Sequence, residues 1–126
     1  MKLEFAFFAD AATTDSGGKL NVLGIFNNVN AHAYPCTHPR MCFVAKISSH
    51  RSEYGKHDLT ITIVDEDGQD VHKQIQGLVE FHSQAPDAQI IMDFNHFTIP
   101  RPGVYSVDIA VDKHYLGSSI FKAVKL

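Results

Sequence analysis

The chain has 126 residues, of which 44% are hydrophobic and 20% charged, with 11 Lys and Arg against 14 Asp and Glu and a formal net charge of −3. This length predicts one domain over residues 1–126, with one core that needs neither disulfides nor a metal. No apolar run approaches the roughly 18 residues of a membrane-spanning helix, and the basic residues are dispersed, so neither a membrane nor a nucleic acid is an expected partner.

The amino-terminal part of the chain reads as short strands separated by turn residues. An apolar run at Leu3–Asp10 and a second at Lys19–Phe26 flank the polar, glycine-bearing segment Thr13–Gly18, a pattern that predicts a β-hairpin. A short third strand is expected within Asn27–Tyr34. Because proline cannot donate to a strand ladder, Pro35–Arg40, with its two prolines, is predicted to be a loop.

The middle of the chain continues the strand pattern. Leu59, Ile61 and Ile63 alternate with polar residues, which predicts a strand with one face in a core and the other in water. The predicted elements of this part are a strand at Met41–Ser48, a loop at Ser49–Lys56, a strand at His57–Asp65, a turn at Glu66–Gln69 and one strand at Val71–His82 with a bulge or kink at Gly77.

The carboxyl-terminal part, after a loop at Ser83–Asp87, contains the most regular pattern in the chain. In Ala88–Ile99 the apolar spacing shifts phase near Asn95–His96, which suggests a bulge there. Residues 100–124 predict a terminal hairpin whose turn lies at Asp112–Tyr115. Its first strand places four side chains on one face: Tyr105, Val107, Ile109 and Val111.

Eight or nine short strands without a helix predict an all-β fold, a two-sheet antiparallel β-sandwich, with a barrel as the alternative closure. A single open sheet of this size would leave one apolar face in water. The chain lacks Trp, and Cys36 and Cys42 are too close in sequence to bridge two sheets, which argues against an antibody-type domain. An immunoglobulin-like architecture in the general sense remains open.

Several strand and turn motifs carry a family resemblance across most of the chain. They are Phe5–Asp10, Gly17–Gly24, Val64–Gly68, Pro102–Tyr105, Val111-Asp112 and Leu116-Gly117. With these motifs the chain resembles a family of short, uncharacterised bacterial proteins known only as a domain of unknown function. The resemblance implies a β-sandwich and carries no functional residue. Family members have Asp-Gly in the last hairpin turn, where this chain has Asp112-Lys113-His114.

The strongest candidate for a metal site is the set His32, Cys36, His38 and Cys42, because zinc takes four such ligands. Their spacing matches no standard zinc finger or ribbon, and Cys42 lies in an apolar run where a cysteine is commonly a core side chain. A structural loop with a core cysteine is therefore the preferred interpretation, with zinc or a disulfide as alternatives. Without an export signal, two free thiols and a cytoplasmic location are expected.

Other candidate sites are weaker. The acidic run Asp65–Asp70 has oxygen ligands of the kind that calcium takes, but it lacks EF-hand spacing and reads as a hairpin turn. Four histidines lie in different predicted elements and could converge: His72, His82, His96 and His114. No Gly-x-Ser-x-Gly nucleophile motif is present, so a small hydrolase ranks third among the functional hypotheses.

Exposed rings and surplus apolar strand faces point towards binding. Tyr34, Tyr54 and Tyr115 fall in predicted loops or turns, where tyrosine rings add contact area for a partner at low entropic cost. The apolar residues Phe5, Phe7, Phe8, Val79 and Phe81 exceed what one thin sandwich hides, which favours self-association as a homo-oligomer. The sequence therefore predicts a non-catalytic binding or assembly module without a cofactor.

Overall fold

The computed structural model describes residues 1–126 as two stacked β-sheets, which confirms the predicted β-sandwich. A single 3₁₀ turn at Arg51–Glu53 interrupts the strands, and no helix is long and apolar enough to cross a membrane. The nine strands are β1 (Lys2–Thr14), β2 (Leu20–Phe26), β3 (Asn28–Ala31), β4 (Cys36–Ser48), β5 (Gly55–Val64), β6 (Ile75–Phe81), β7 (Asp87–Ile99), β8 (Gly103–Val111) and β9 (His114–Lys125).

We name the sheet with strand order β2-β1-β4-β7 sheet A and the sheet with order β3-β9-β8-β5-β6 sheet B. The two predicted hairpins, β1–β2 and β8–β9, are both present and antiparallel. All other neighbours are antiparallel too, except β3, which runs parallel to β9. The four strands with a neighbour on one side only are β2, β3, β6 and β7.

The core lies between the sheets and is built from alternating side chains, as the strand periodicity predicted. In β8 every second residue from Tyr105 to Val111 is buried. The ring of Phe8 lies at the centre of an aromatic cluster in which its centroid is 5.1 Å from that of Phe43 and 5.2 Å from that of Phe121. Burial of these rings contributes the main stabilisation of the sandwich.

The predicted loop at Pro35–Arg40 is wrong, because β4 begins at Cys36 and pairs with β7 from its first residue. Pro39 and His96 lie opposite each other but do not pair. The residue pairs on either side of them, His38 with Phe97 and Arg40 with Asn95, are present in the ladder between β4 and β7. The missing proline N–H therefore interrupts the ladder at one position and does not prevent the strand.

The predicted irregularity at Asn95–His96 is present, but it is not an inserted residue. The register of β4 and β7 is the same on both sides of the gap. His96 instead adopts a left-handed backbone with φ of 57°, and both Phe94 and Phe97 are buried although three positions separate them. The left-handed backbone of His96, opposite Pro39, therefore shifts the alternation of buried and exposed side chains by one residue.

The predicted bulge at Gly77 is also wrong. Gly77 pairs in regular register with Leu59, and β6 begins only at Ile75. The preceding residues 71–74 are irregular, although the Val71 N–H donates to the Ile63 carbonyl oxygen at 3.0 Å. The polar residues between Val71 and Ile75 therefore connect two strands and do not extend β6.

The β8–β9 hairpin closes through a two-residue loop, Asp112-Lys113, since Val111 pairs with His114. Both loop residues have positive φ, 50° and 67°, as a type I′ turn requires. Near the start of β8, the Tyr105 hydroxyl donates to the carbonyl oxygen of Arg101 at 2.5 Å. This contact resembles the tyrosine corner of immunoglobulin-like sandwiches, and the overall architecture is immunoglobulin-like in the same general sense.

Candidate functional site

The two outer faces of the sandwich differ in polarity. On sheet B many outward side chains form polar networks: the Thr60 hydroxyl donates to Gln76 at 3.0 Å, and the Ser106 hydroxyl donates to Asp108 at 2.6 Å. Leu78, Val104 and Ile120 are exposed between them. On sheet A the corresponding positions are largely apolar. A sheet face that presents apolar side chains to water is the usual signature of a contact surface.

We define the apolar face as the outward side chains at the centre of sheet A: Phe5, Phe7, Ala9, Leu23, Ile25, Cys42, Val44 and Ile91. Leu23 and Ile25 are 70% and 62% exposed on the edge strand β2. The rings of Phe5 and Phe7 stack on each other with centroids 5.4 Å apart, and neither belongs to the core cluster. Of the five apolar residues that were predicted to exceed the capacity of the core, Phe5 and Phe7 are the two that lie outside it.

Charged groups on the outer face of sheet A form pairs of opposite sign, and two of them adjoin the apolar face, since Lys46 pairs with Phe5 and Asp93 with Cys42. The Lys46 ammonium is 3.5 Å from the Asp87 carboxylate, and the Arg40 guanidinium is 4.0 Å from the Asp93 carboxylate. Such exposed pairs contribute little to folding stability. Because each pair contains one positive and one negative group, these charges give the face no region with a single sign of charge.

The structure does not bring the four predicted metal ligands together. Cys36 packs against the core, whereas Cys42 is buried on the apolar face, on the opposite side of the same strand. The two thiols are free, and burial raises the pKa of each. The ring of His38 lies parallel to that of Phe26 with centroids 5.8 Å apart, and His32 is exposed.

The three predicted partner-binding tyrosines have different environments. Tyr34 is half-buried against the core, and its hydroxyl lies 2.8 Å from the carbonyl oxygen of Val124, to which it donates. That contact fixes the chain beside β9, so Tyr34 has a structural role. Tyr54 is 37% exposed after the 3₁₀ turn, and Tyr115 is 66% exposed in β9, where its hydroxyl hydrogen-bonds with that of Ser118.

The acidic run Asp65–Asp70 forms a turn whose oxygens are already engaged. Asp65 Oδ1 accepts from the backbone N–H groups of Asp67 and Gln69, and its Oδ2 accepts from Arg101 at 2.6 Å. The Gln69 and Asp67 amides together with the Arg101 guanidinium hold the pKa of Asp65 below its ordinary value. Asp65 therefore links the β5–β6 turn to the segment before β8 and is not free to hold a cation.

An imidazole–carboxylate pair that the sequence analysis did not single out joins His57 and Asp112. Nδ1 of His57 is 2.6 Å from Asp112 Oδ2, and Nε2 donates to the carbonyl oxygen of Glu53. The Asp112 carboxylate and then the Glu53 carbonyl raise the pKa of His57. The two residues are far apart in sequence, and only the pairing of β5 with β8 brings them together, so local patterns give no signal for them.

Of the four histidines considered for convergence, two line a common groove. His72 and His96 border a groove of about 620 Å³ between β7 and the β5–β6 connection. The ring of His72 stacks on Phe97 with centroids 5.7 Å apart, and its Nδ1 donates to the carbonyl oxygen of Lys73. His82 and His114 are exposed elsewhere, and no three His, Cys, Asp or Glu side chains are arranged to hold a metal ion.

Comparison with known proteins agrees with this picture of a β-sandwich without an assigned activity. Residues 4–123 match the sequence model of a family of unknown function, DUF6941. The chain belongs to the DUF6941 family. This match covers nearly the whole chain and confirms the resemblance that the strand and turn motifs indicated. The search of curated proteins gave no match.

Two solved structures are similar to this DUF6941 protein at low sequence identity. The Pseudomonas fluorescens alkylpurine DNA glycosylase AlkC, bound to DNA containing an abasic site analog, is 13% identical with a TM-score of 0.52. The match covers 94% of this chain but only 30% of the glycosylase. An immunoglobulin-like protein from Pseudomonas aeruginosa (PA1606) is 15% identical with a TM-score of 0.46, over 97% of this chain and 94% of the other.

Proposed function

We propose that this DUF6941 protein is a non-catalytic assembly module that forms a homo-oligomer through the apolar face of sheet A. The observation that carries the proposal is the exposure of Leu23 and Ile25 beside the stacked rings of Phe5 and Phe7. Covering these side chains removes apolar area from water, which is the main favourable term in protein association.

The dimensions of sheet A, whose central part is the apolar face, suit a dimer. Four strands spaced about 4.8 Å apart, with an average length of about ten residues at 3.3 Å per residue, give the whole sheet a flat area on the order of 600 Å². A standard interface buries roughly 800 Å² on each partner, measured over the contoured surface. A second copy of the sheet face therefore supplies a partner of matching size and flatness.

The charges around the face are compatible with a second copy as the occupant. A two-fold axis places identical surfaces against each other, so a face with one predominant sign would repel its copy. Here the Lys46–Asp87 and Arg40–Asp93 pairs bring both signs of charge to the face, and neither sign predominates. On the other outer face, Thr, Gln, Ser and Asp side chains hydrogen-bond to one another and separate the exposed Leu78 and Ile120.

The non-catalytic part of the proposal rests on how the histidines and serines are engaged. A general base needs a ring nitrogen with a free lone pair next to a nucleophile. In the His57–Asp112 pair, Nε2 donates to the Glu53 carbonyl oxygen, so neither nitrogen of that imidazole accepts a proton from a hydroxyl. Ser106 and Ser118 donate to the Asp108 carboxylate and not to an imidazole.

Nucleic acid is not part of the proposed function, although the structurally similar glycosylase was solved with DNA. Binding to phosphates requires several clustered basic residues, whereas Arg40, Lys46 and Arg101 each face a carboxylate. Fluorescence anisotropy with a labelled DNA duplex at low salt checks this part, and no binding is expected. We place the protein in a reducing compartment, the cytoplasm, since the chain has only two cysteines and no disulfide framework.

Sedimentation velocity over a range of protein concentrations tests the oligomer. The wild-type protein is expected to shift from monomer to dimer as concentration rises. Leu23→Glu places a charge on the apolar face, on the edge strand β2, and is expected to shift the equilibrium to monomer. Because Leu23 is 70% exposed in the single chain, this change leaves the fold intact.

Leu78→Glu is the matched control, since Leu78 is also 70% exposed but lies outward on sheet B. It should leave the dimer unchanged. The proposal is contradicted if the wild-type protein is monomeric at all concentrations. It is also contradicted if Leu78→Glu disrupts the dimer and Leu23→Glu does not.

A further inference from the structure

The free edge of β7 and the groove beside it form a second surface, distinct from the apolar face. β7 is the longest strand at an edge, with 13 residues, and its backbone pairs with β4 alone. Extended strands rise about 3.3 Å per residue, so roughly 40 Å of backbone lacks a partner on one side. Groups of this kind are a template for another strand.

One hydrogen bond shows which backbone N–H and C=O groups of β7 face β4 and which face the free edge. The N–H of Ser49 donates to the carbonyl oxygen of Pro86 at 3.1 Å, in register with the β4–β7 ladder. Backbone groups alternate in direction along an antiparallel strand. Gln89, Ile91 and Asp93 therefore direct their N–H and C=O groups towards the free edge.

β7 has less of the usual protection of a sheet edge than the other three edge strands. Natural edges are shortened, or carry charged residues (especially Lys), Pro or irregularities that twist the strand away. β3 has four residues, β6 has seven with Gly77 inside, and β2 contains Gly24 at φ of 71°. β7 contains no Lys, Arg, Pro or Gly, and its charged residues are Asp87 and Asp93 alone. Its register with β4 is regular up to Asn95, before the left-handed His96.

The groove beside this edge has room for side chains. Its volume is about 620 Å³, and its apolar lining comes from both sheets: Val71 and Ile75 on one side, Met92, Phe94 and Phe97 on the other. A volume in this range is typical of ligand sites. The other lining residues are polar, namely His72, Asp93, Asn95, His96 and Thr98, so the groove offers hydrogen-bonding groups beside its apolar side chains.

We propose that the groove binds an extended peptide segment, which adds as a strand to the free edge of β7 and inserts alternate apolar side chains between the sheets. Backbone pairing provides affinity, and the groove selects the side chains, as in other strand-addition complexes. A strand is the favoured occupant because it satisfies the unpaired backbone groups of Gln89, Ile91 and Asp93 as well as the apolar side chains of the groove. A compact small molecule would satisfy only those side chains.

The test selects peptides of about ten residues from a random phage-displayed library against the wild-type protein, followed by synthesis of the enriched sequences. Enriched peptides are expected to have apolar residues at every second position. N-methylation of every second peptide amide removes donors on one edge of a strand. One of the two alternating sets of amides faces β7, and methylation of that set should weaken binding about tenfold or more. Methylation of the other set, which faces away from β7, should leave binding unchanged.

Two protein variants locate the site. Ile75→Trp fills the groove and is expected to weaken the same peptides by a similar factor, whereas Leu78→Trp adds the same ring to β6 outside the groove and should not. Thermal unfolding confirms that each variant is folded. The proposal is overturned by the absence of an enriched peptide family, by equal effects of methylating the two sets of amides, or by peptides insensitive to Ile75→Trp. A dimer that Gln89→Pro disrupts would also overturn it, because a second copy would then occupy the edge.

Discussion

Nδ1 of His57 lies 2.6 Å from Oδ2 of Asp112, and this contact fastens β5 to the turn between β8 and β9. The same carboxylate accepts the backbone N–H of Asp58 at 2.9 Å. Since Nε2 of His57 donates to the Glu53 carbonyl oxygen, both nitrogens of the ring are donors, and the protonated imidazole is the form that fits.

This pair makes the free energy of unfolding depend on pH in a defined direction. The pKa of His57 is raised above its ordinary 6.5, so its contribution is fully present below about pH 6.5 and is lost as the pH rises through the raised value. The pKa of Asp112 is lowered from 3.8 by His57 and by the Asp58 amide, so its contribution is lost as the pH falls through the lowered value. We expect maximal stability from this pair between about pH 4 and 6.5.

Urea unfolding across this pH range, with wild-type protein and Asp112→Asn, measures the effect. The variant should lose stability most below about pH 6.5 and least at high pH, where the wild-type His57 is neutral. His32→Gln, which removes an exposed imidazole, should leave the wild-type profile unchanged. An equal loss in Asp112→Asn at all pH values would contradict the assignment.

The turn residue Lys113 is expected to be a site of stabilisation. Its φ of 67° is unfavourable for a residue with a Cβ, and type I′ turns favour glycine at this position. Lys113→Gly should raise the free energy of unfolding by roughly 0.5–1 kcal/mol after allowance for the greater flexibility of glycine in the unfolded chain. Asp112→Gly is the informative comparison, because it should destabilise the protein through loss of the His57 and Asp58 contacts.

Removal of the Tyr105 hydroxyl is expected to lower the free energy of unfolding, whereas removal of the Tyr54 hydroxyl is expected to change it little. Tyr105 is buried and donates to the Arg101 carbonyl oxygen, so Tyr105→Phe leaves that oxygen without its partner and should cost about 1 kcal/mol. Tyr54→Phe alters a partly exposed ring and should change stability little. Chemical denaturation of both variants provides the comparison, and equal effects would argue against the tyrosine-corner interpretation.

Adjacent phenylalanines on opposite faces of β1 should respond differently to truncation. Phe8 is buried among Phe43, Phe94 and Phe121, so Phe8→Ala should cost roughly 3–5 kcal/mol at any protein concentration. Phe7 lies on the apolar face, and Phe7→Ala should cost less than half as much in the monomer. If a second copy covers that face, the cost of Phe7→Ala grows with protein concentration, since dimerisation stabilises the folded state by mass action.

Local patterns predicted the strands well where one face is buried. The alternation of Tyr105–Val111 and of Leu59, Ile61 and Ile63 matches the observed core positions. Prediction failed at Pro39, because the sequence does not reveal that a ladder can omit one pair opposite a left-handed His96. It also failed at Gly77, where a regular pair with Leu59 leaves no need for a bulge.

The candidate surfaces were only partly visible from the sequence. The run Phe5, Phe7 and Phe8 indicated more apolar bulk than the core needs, but the face on which each ring lies depends on pairing with β4. The groove beside β7 depends on strand order, which long-range pairing determines. The same is true of the His57–Asp112 contact, whose partners lie on strands that are distant in sequence.

The parallel pairing of β3 with β9 constrains the route by which the chain folds. Asn28 near the start of the chain pairs with Lys122 near its end, so β3 has no partner until the last strand is in place. Contacts between such distant positions slow folding, since the entropy of a long loop is lost before any contact forms. During translation β3 must wait until β9 has left the ribosome, which makes completion of sheet B a late event in folding.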